Sequence, residues 1–222
     1  MSSIALTIGN QNYSSWSLRP WLVLSMAQVD FSTTILPLFQ VDHETIMGRH
    51  TPAGKVPFLQ HDDLVIWESL AICEYIAELY PNAQLWPEDP QQRAHARAMA
   101  TEMATGFFGL RNEFPMNIRR QVLGIPPSPS TQKEIERIQA TWVQALQQKT
   151  PDSGPLLFGH FTIVDAMYAP VVFRFNSYGL CEDETCLAYM QAMLDLPPMQ
   201  AWAEAAAKEP WTIKQAELNP PT

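Results

Sequence analysis

The chain has few cysteines: Cys73, Cys181 and Cys186 are the only 3 among 222 residues. They form neither the even-numbered framework of a small secreted domain nor a Cys-x-x-Cys redox pair, which fits a reducing cytoplasm. Basic residues are also scarce, with 14 Lys and Arg against 23 Asp and Glu, a formal net charge of -9 and no cluster of Lys or Arg to offset it. Such a surface repels nucleic-acid phosphates and anionic lipids, so neither nucleic acid nor a membrane is expected as a partner. No stretch approaches the ~18 consecutive apolar residues of a membrane span, and residues 1–9 lack the basic region of an export signal. Cys181, Cys186 and the scattered histidines have no zinc-site spacing, so no metal is expected.

What is present is an ordinary globular composition, 46% hydrophobic and 17% charged, long enough for two domains with real cores. Ile4, Leu6 and Ile8 alternate with smaller or polar residues and predict a first strand that Gly9-Asn10 ends. Pro20 belongs in the first turn of a helix, which places the start of that helix near Ser14–Ser17. Thr33–Pro37 reads as a second strand, parallel to the first across the helical crossover. After an irregular stretch, residues 56–60 and 64–66 flank His61-Asp62-Asp63 as an antiparallel hairpin, and Glu68–Tyr80 reads as a closing helix. Prolines 81, 87 and 90 mark a linker at 81–90 between a domain at 1–80 and an all-helical domain at 91–222. In the second part Met99, Met103, Phe107, Leu110 and Phe114 predict one helix, and Ile135, Ile138, Trp142 and Leu146 another. Thr162-x-x-Asp165 before an apolar run is a capping box that starts a buried helix.

Three short elements carry chemistry only jointly: Ser14-Ser15-Trp16-Ser17-Leu18-Arg19, Lys55-Val56-Pro57, and Glu68-Ser69. Each has a plainer reading. Serines before a helix are most often N-caps, Glu68-Ser69 could simply satisfy free amides, and Val56-Pro57 could be a strand entry. Together they outline two helix N-termini and an X-Pro bond around a site for an extended anionic peptide.

The pattern S-x-x-x-x-R, then K-V-P, then E-S-L-A-I-x-E-Y-I resembles the serine-type cytosolic glutathione transferases, and the resemblance extends through the Thr162-x-x-Asp165 motif over nearly the whole chain. It implies a thioredoxin-like N-terminal domain of order βαβαββα followed by an all-helical bundle, a cytoplasmic homodimer, and glutathione as co-substrate. It further implies a cis bond before Pro57 with Val56 presenting its backbone to glutathione, Glu68 and Ser69 at the γ-glutamyl end, and Lys55 near the glycyl carboxylate. The thiol then falls at the start of the first helix, where Ser14, or Ser15 as the alternative, donates to the thiolate.

The run Ser14-Ser15-Trp16-Ser17 is similar to the zeta class, which has a cysteine where Trp16 stands. That difference argues against enzymes that form a mixed disulfide through a cysteine, and it weakens the case for the maleylacetoacetate isomerase activity associated with the zeta class. A small apolar electrophile is expected between the domains, against Trp16, Phe107, Phe108, Arg111, Asn112 and Met116, although Phe107 and Met103 also fit a bundle core. The expected activity is that of a glutathione transferase, activating the glutathione thiolate for attack on an apolar electrophile or a peroxide. A glutathione-dependent isomerase of the maleylacetoacetate type and a noncatalytic glutathione-transferase-like binding protein are the alternatives.

Overall fold

The computed structural model of the chain describes residues 3–39, 48, 51, 53–150 and 153–219. Its first part is a four-stranded mixed sheet: β1 (Ile4–Ile8), β2 (Ser32–Ile35), β3 (Phe58–His61) and β4 (Leu64–Trp67), in the spatial order β2-β1-β3-β4. β1 runs parallel to β2 and antiparallel to β3, which pairs antiparallel with β4. Ile4, Leu6 and Ile8 are buried while Ala5 and Thr7 are less so, as strand alternation with one covered face requires. α1 (Ser15–Met26) and α2 (Ser69–Leu79) pack against each other. The segment between β2 and β3, where the βαβαββα order puts a further helix, lies largely outside the described residues.

β2 is shifted from the expected Thr33–Pro37. The ladder continues only to the Leu36 amide, which donates to Ile8 O at 2.8 Å, because the next amide facing β1, that of Leu38, donates to the Asn10 side-chain oxygen at 2.8 Å instead.

The second part is helical: α3 (Pro90–Thr105), α4 (Phe108–Glu113), α5 (Pro129–Gln148), α6 (Ile163–Tyr178), α7 (Glu184–Leu194) and α8 (Pro197–Lys208). The single helix expected from the 99–114 periodicity is broken in two. Gly106 is extended and Phe107 is left-handed (φ 58°). Both new ends are capped from a distance: Arg111 donates to the carbonyls of Met103 and Ala104 at the end of α3, and the Glu134 carboxylate accepts from the amides of Gly109 and Leu110 at 3.2 and 2.8 Å. Gly109 lets α4 approach α5, since a Cβ there would stand 2.3 Å from Thr131 Oγ1. Thr131 Oγ1 and Ser128 Oγ in turn donate to Glu113.

α6 is the axis of the helical part, buried on every side except at Asn176, and it packs on α1, α3 and α7. Its N-terminus is held by Asp165, whose carboxylate accepts from Thr162 N (2.8 Å), Thr162 Oγ1 (2.9 Å), Leu157 N (3.3 Å) and the Tyr189 hydroxyl (3.2 Å). The reach back to Thr162 is the capping-box bond expected from the sequence.

Burial pushes the Asp165 carboxyl up to about 6 from its ordinary 3.8, against the pull of these donors. A carboxyl that binds its proton more tightly when folded favours the native state most below about pH 4, and that contribution fades as pH rises through 6. Urea unfolding should show wild-type stability declining relative to Asp165→Asn between pH 4 and 6, and a flat difference would contradict the assignment. Asp165→Ala, which strands four buried donors, should cost about 3 kcal/mol at neutral pH.

Candidate functional site at the start of the first helix

The loop from Gly9 to Ser14 delivers α1 to the junction of the two parts. Asn10 O accepts from Tyr13 N (3.2 Å) and Ser14 N (2.7 Å), a tight turn that leaves Ser14 as the residue before the helix. Ser14 makes no side-chain cap bond. Its Oγ lies 2.7 Å from Ser17 Oγ, which also accepts from Gly9 N at 3.0 Å. With Ser17 donating to Ser14, the Ser14 proton is free to point outward. Both residues are buried, yet Ser14 and its neighbour Ser15 line a cavity of about 550 Å³ between the two parts of the chain.

A second, smaller cleft of about 150 Å³ adjoins it and is lined by Trp16, Lys55, Val56, Pro57, Glu68 and Ser69 with Ala53 and Trp67. All five residues expected around glutathione therefore share one groove, and Trp16, Lys55 and Val56 border both spaces. The Val56–Pro57 bond is cis. Glu68 is exposed and has a left-handed backbone (φ 66°), a conformation that costs energy in a non-glycine residue and is concentrated at functional sites. One detail differs from expectation: the Ser69 hydroxyl donates to Trp16 O at 2.7 Å, so its proton ties α2 to α1.

The wall between the two spaces is strongly cationic. The Trp16 ring is flanked by Arg19, 4.1 Å from its centroid, and Arg111 at 4.8 Å. Arg19 is buried, donates to Met167 O at 3.2 Å and leaves its Nη1 without an acceptor. Arg174, also buried, donates to the carbonyls of Phe114 (2.8 Å) and Pro170 (3.2 Å) and lines the large cavity. No carboxylate among the described residues forms an ion pair with any of the three. Burial first, and then repulsion from Arg111, lower the Arg174 guanidinium to about 10. The same causes, with Arg174 added, lower Arg19.

The family model for the glutathione S-transferase N-terminal domain matches residues 13–79, and that for the C-terminal domain matches residues 129–205. A probable maleylacetoacetate isomerase of Caenorhabditis elegans is 31% identical over 169 residues, 75% of this chain and 77% of that protein. The chain belongs to the glutathione S-transferase family. Glutathione S-transferase 1 of Dianthus caryophyllus is 34% identical over 112 residues, about half of each protein. Among solved structures, a tau-class glutathione S-transferase from mango superposes with a TM-score of 0.71 at 18% identity, covering 93% of this chain and 96% of that one. A Burkholderia glutathione transferase homolog with bound glutathione gives 0.70 at 23% identity, covering 92% and 97%. These likenesses establish the fold, a thioredoxin-like N-terminal domain and a helical C-terminal one.

Within this family member, Trp16, Arg111, Asn112 and Met116 line the large cavity, but Phe107 and Phe108 do not. Phe107 is buried in the core, and Phe108, 61% exposed, lies against Arg111 outside the cavity lining. Phe107 is the left-handed residue before α4 and packs into the core, and Phe108 stands in the first turn of that helix, while Arg111 and Asn112 in its second turn line the cavity. Sequence patterns alone do not single out Ser17, Arg174 and Tyr13. Ser17 was visible three residues from Ser14, one helical turn away, whereas Arg174 was hidden in an apolar run. Tyr13 lines the cavity too, but its hydroxyl donates to Glu217 Oε1 at 2.5 Å and accepts from Arg119 at 2.9 Å. None of the three cysteines lines either space, and among the described residues no metal-ligating cluster of three or more exists. No described helix is long and apolar enough to cross a membrane.

Ser17→Ala removes the acceptor for the Gly9 amide and the partner of Ser14 at a buried site. Chemical unfolding should register a loss of about 1–2 kcal/mol, and an unchanged midpoint and slope would mean that the pair of hydroxyls is solvent-bridged instead.

Proposed function

We propose that this chain is a glutathione-dependent enzyme in which Ser14, at the N-terminus of α1, stabilises the glutathione thiolate for attack on a small electrophile held in the large cavity. The observation that carries this reading is that the groove of Lys55–Pro57 and Glu68–Ser69 opens directly beside Ser14 and Ser15 at a helix N-terminus. Glu68 meets the γ-glutamyl ammonium. The backbone amides that begin α2 take the γ-glutamyl carboxylate, since the Ser69 hydroxyl proton is occupied by Trp16 O. Lys55 faces the glycyl carboxylate. The thiol reaches Ser14, whose donor proton and the positive end of the helix favour thiolate over thiol. Tyr13 is unsuited to that part because its hydroxyl is already bonded to Glu217. Ser15 lines the same cavity and is the alternative donor.

Titrating the thiolate absorbance of glutathione bound to wild type and to Ser14→Ala tests this without a known electrophile. Wild-type thiol should ionise about two pH units below free thiol, near 6 to 7, and the substitution should raise that value by about one unit or more. An unshifted thiol in the wild type, or glutathione that does not bind, would leave a noncatalytic binding protein as the better reading. A shift lost in Ser15→Ala and kept in Ser14→Ala would move the role to Ser15.

Arg174 favours a second reading. A buried guanidinium with spare donors at the cavity wall and no described carboxylate partner suits an electrophile that carries an acid group. An unsaturated acid isomerised by reversible thiolate addition fits that site, and several relatives bear the name maleylacetoacetate isomerase. Trp16 does not stand in the way, because such addition needs the thiolate of glutathione and no enzyme cysteine. Isomerisation returns glutathione unchanged, whereas transfer consumes it one for one. Arg174→Met should raise KM for maleylacetoacetate about tenfold or more while sparing a neutral electrophile. Equal losses on both would remove the acid-group reading.

A further inference from the structure

The loop that carries Ser14 has no regular structure, yet Asn10, Gln11, Asn12 and Ser14 are all buried. Buried irregular backbone needs a partner for each N–H and C=O, and here the partners come from the far end of the chain. Glu209, the residue that follows α8, sets its carboxylate on two consecutive amides and accepts from Gln11 N at 2.6 Å and Asn12 N at 3.0 Å. Trp202 Nε1 donates to Gln11 O at 2.9 Å. Glu209 is itself buried and fixed, since its carbonyl accepts from Arg119 Nη1 at 2.7 Å and Arg119 Nη2 holds Trp211 O and the Tyr13 hydroxyl, each at 2.9 Å. Among the described residues, no Lys or Arg side chain bonds the Glu209 carboxylate. A buried negative charge is therefore satisfied by the main chain of one loop.

We propose that Glu209 is a positioning residue for the thiolate-binding serine. Its two oxygens fix the Gln11 and Asn12 amides, hence the turn in which Asn10 O accepts from Tyr13 and Ser14, and hence the place of the Ser14 hydroxyl. The inference rests on the reading of Ser14 given above. Glu209 does not line the cavity, so it acts through the loop. The sign of the effect separates this role from plain electrostatics. A carboxylate near the thiol disfavours thiolate, so neutralising it by charge alone would lower the thiol pKa. Loosening the serine does the opposite and raises it.

The experiment titrates thiolate absorbance of bound glutathione in wild type, Glu209→Gln, Ser14→Ala and the double variant, each checked for folding by circular dichroism and thermal melting. Glu209→Gln should raise the thiol pKa by about one unit, lower kcat/KM for 1-chloro-2,4-dinitrobenzene at about pH 6.5 roughly tenfold, and leave KM for glutathione unchanged because residues 55–69 are untouched. In the Ser14→Ala background it should add no further shift, since the two act as one unit. A lowered melting temperature with an unshifted or lowered thiol pKa in Glu209→Gln would overturn the proposal while Ser14→Ala still shows its own rise. A further shift in the double variant would overturn it as well. A wild-type thiol pKa kept in Ser14→Ala would overturn the assignment to Ser14 and this proposal with it, whatever Glu209→Gln shows. Should Glu209→Gln not fold, Glu209→Asp keeps the charge on a shorter side chain and should give a smaller rise of the same sign, and a thiol pKa equal to wild type in that variant would count against the role.

Discussion

The packing of α1 between the sheet domain and the bundle is the constraint on which the rest depends. Leu18, Leu22, Val23 and Leu24 are fully buried, α1 packs on both α2 and α6, and Arg19 binds the α6 carbonyl of Met167. A helix held on two sides cannot tilt, so its N-terminus is fixed at the seam between domains. That is where an extended ligand lying along the sheet domain would meet a second substrate lying against the bundle. The two adjoining spaces and the shared wall of Trp16 follow from that placement.

The same packing concentrates positive charge. Burial lowers all three of Arg19, Arg111 and Arg174, and Arg111 lowers the other two further, inside a chain whose net charge is -9. Each is kept by backbone carbonyls, and two are covered by the Trp16 ring, so their charge is solvated by the protein without being neutralised. Burying Arg19 and Arg174 without a bonded carboxylate disfavours the folded state, whereas Arg111 is only half-buried and the nearby Glu134 carboxylate favours its charge. The aromatic wall has a part in this, because a cysteine in place of Trp16 would leave both guanidiniums without a face to cover.

Much of the site was legible because its parts are local. Helix starts carry serines, a Val-Pro bond precedes a hairpin, and Glu-Ser opens a helix, each within a few residues, and all five groove positions fell together. The hairpin and β1 were legible for the same reason, since alternation and turn chemistry act between neighbours. What escaped depends on distant partners. The apolar interval through Met103, Phe107 and Leu110 continues across a helix break that Glu134 and Arg111 stabilise from outside, and so Phe107 and Phe108 were assigned to a pocket they do not line. Arg174 sits in a run otherwise apolar from Ile163 to Phe175 except for Asp165, where periodicity gives a charge no direction. Glu209 bonds amides 198 and 197 positions away, a pairing no local pattern encodes.

The magnitudes decide what each part contributes to the thiolate. Lowering a thiol from ~8.5 toward ~6.5 takes about 3 kcal/mol. A hydroxyl bond to a charged acceptor supplies about 1.5–3 kcal/mol, and a helix N-terminus about 0.3–1 kcal/mol, more where it is partly buried. Buried arginines act in the same direction, and salt screens them little. If Ser14 has the role proposed above, the serine is the strongest single contributor, with helix and cations together making up the remainder. The helix end and the cations act over several ångströms and tolerate small displacements, but a hydrogen bond weakens steeply with distance and angle. The interaction that would contribute most is thus also the one most sensitive to geometry, and the loop that carries Ser14 is one whose Gln11 and Asn12 amides and Gln11 carbonyl are bonded by α8 and the residue that follows it.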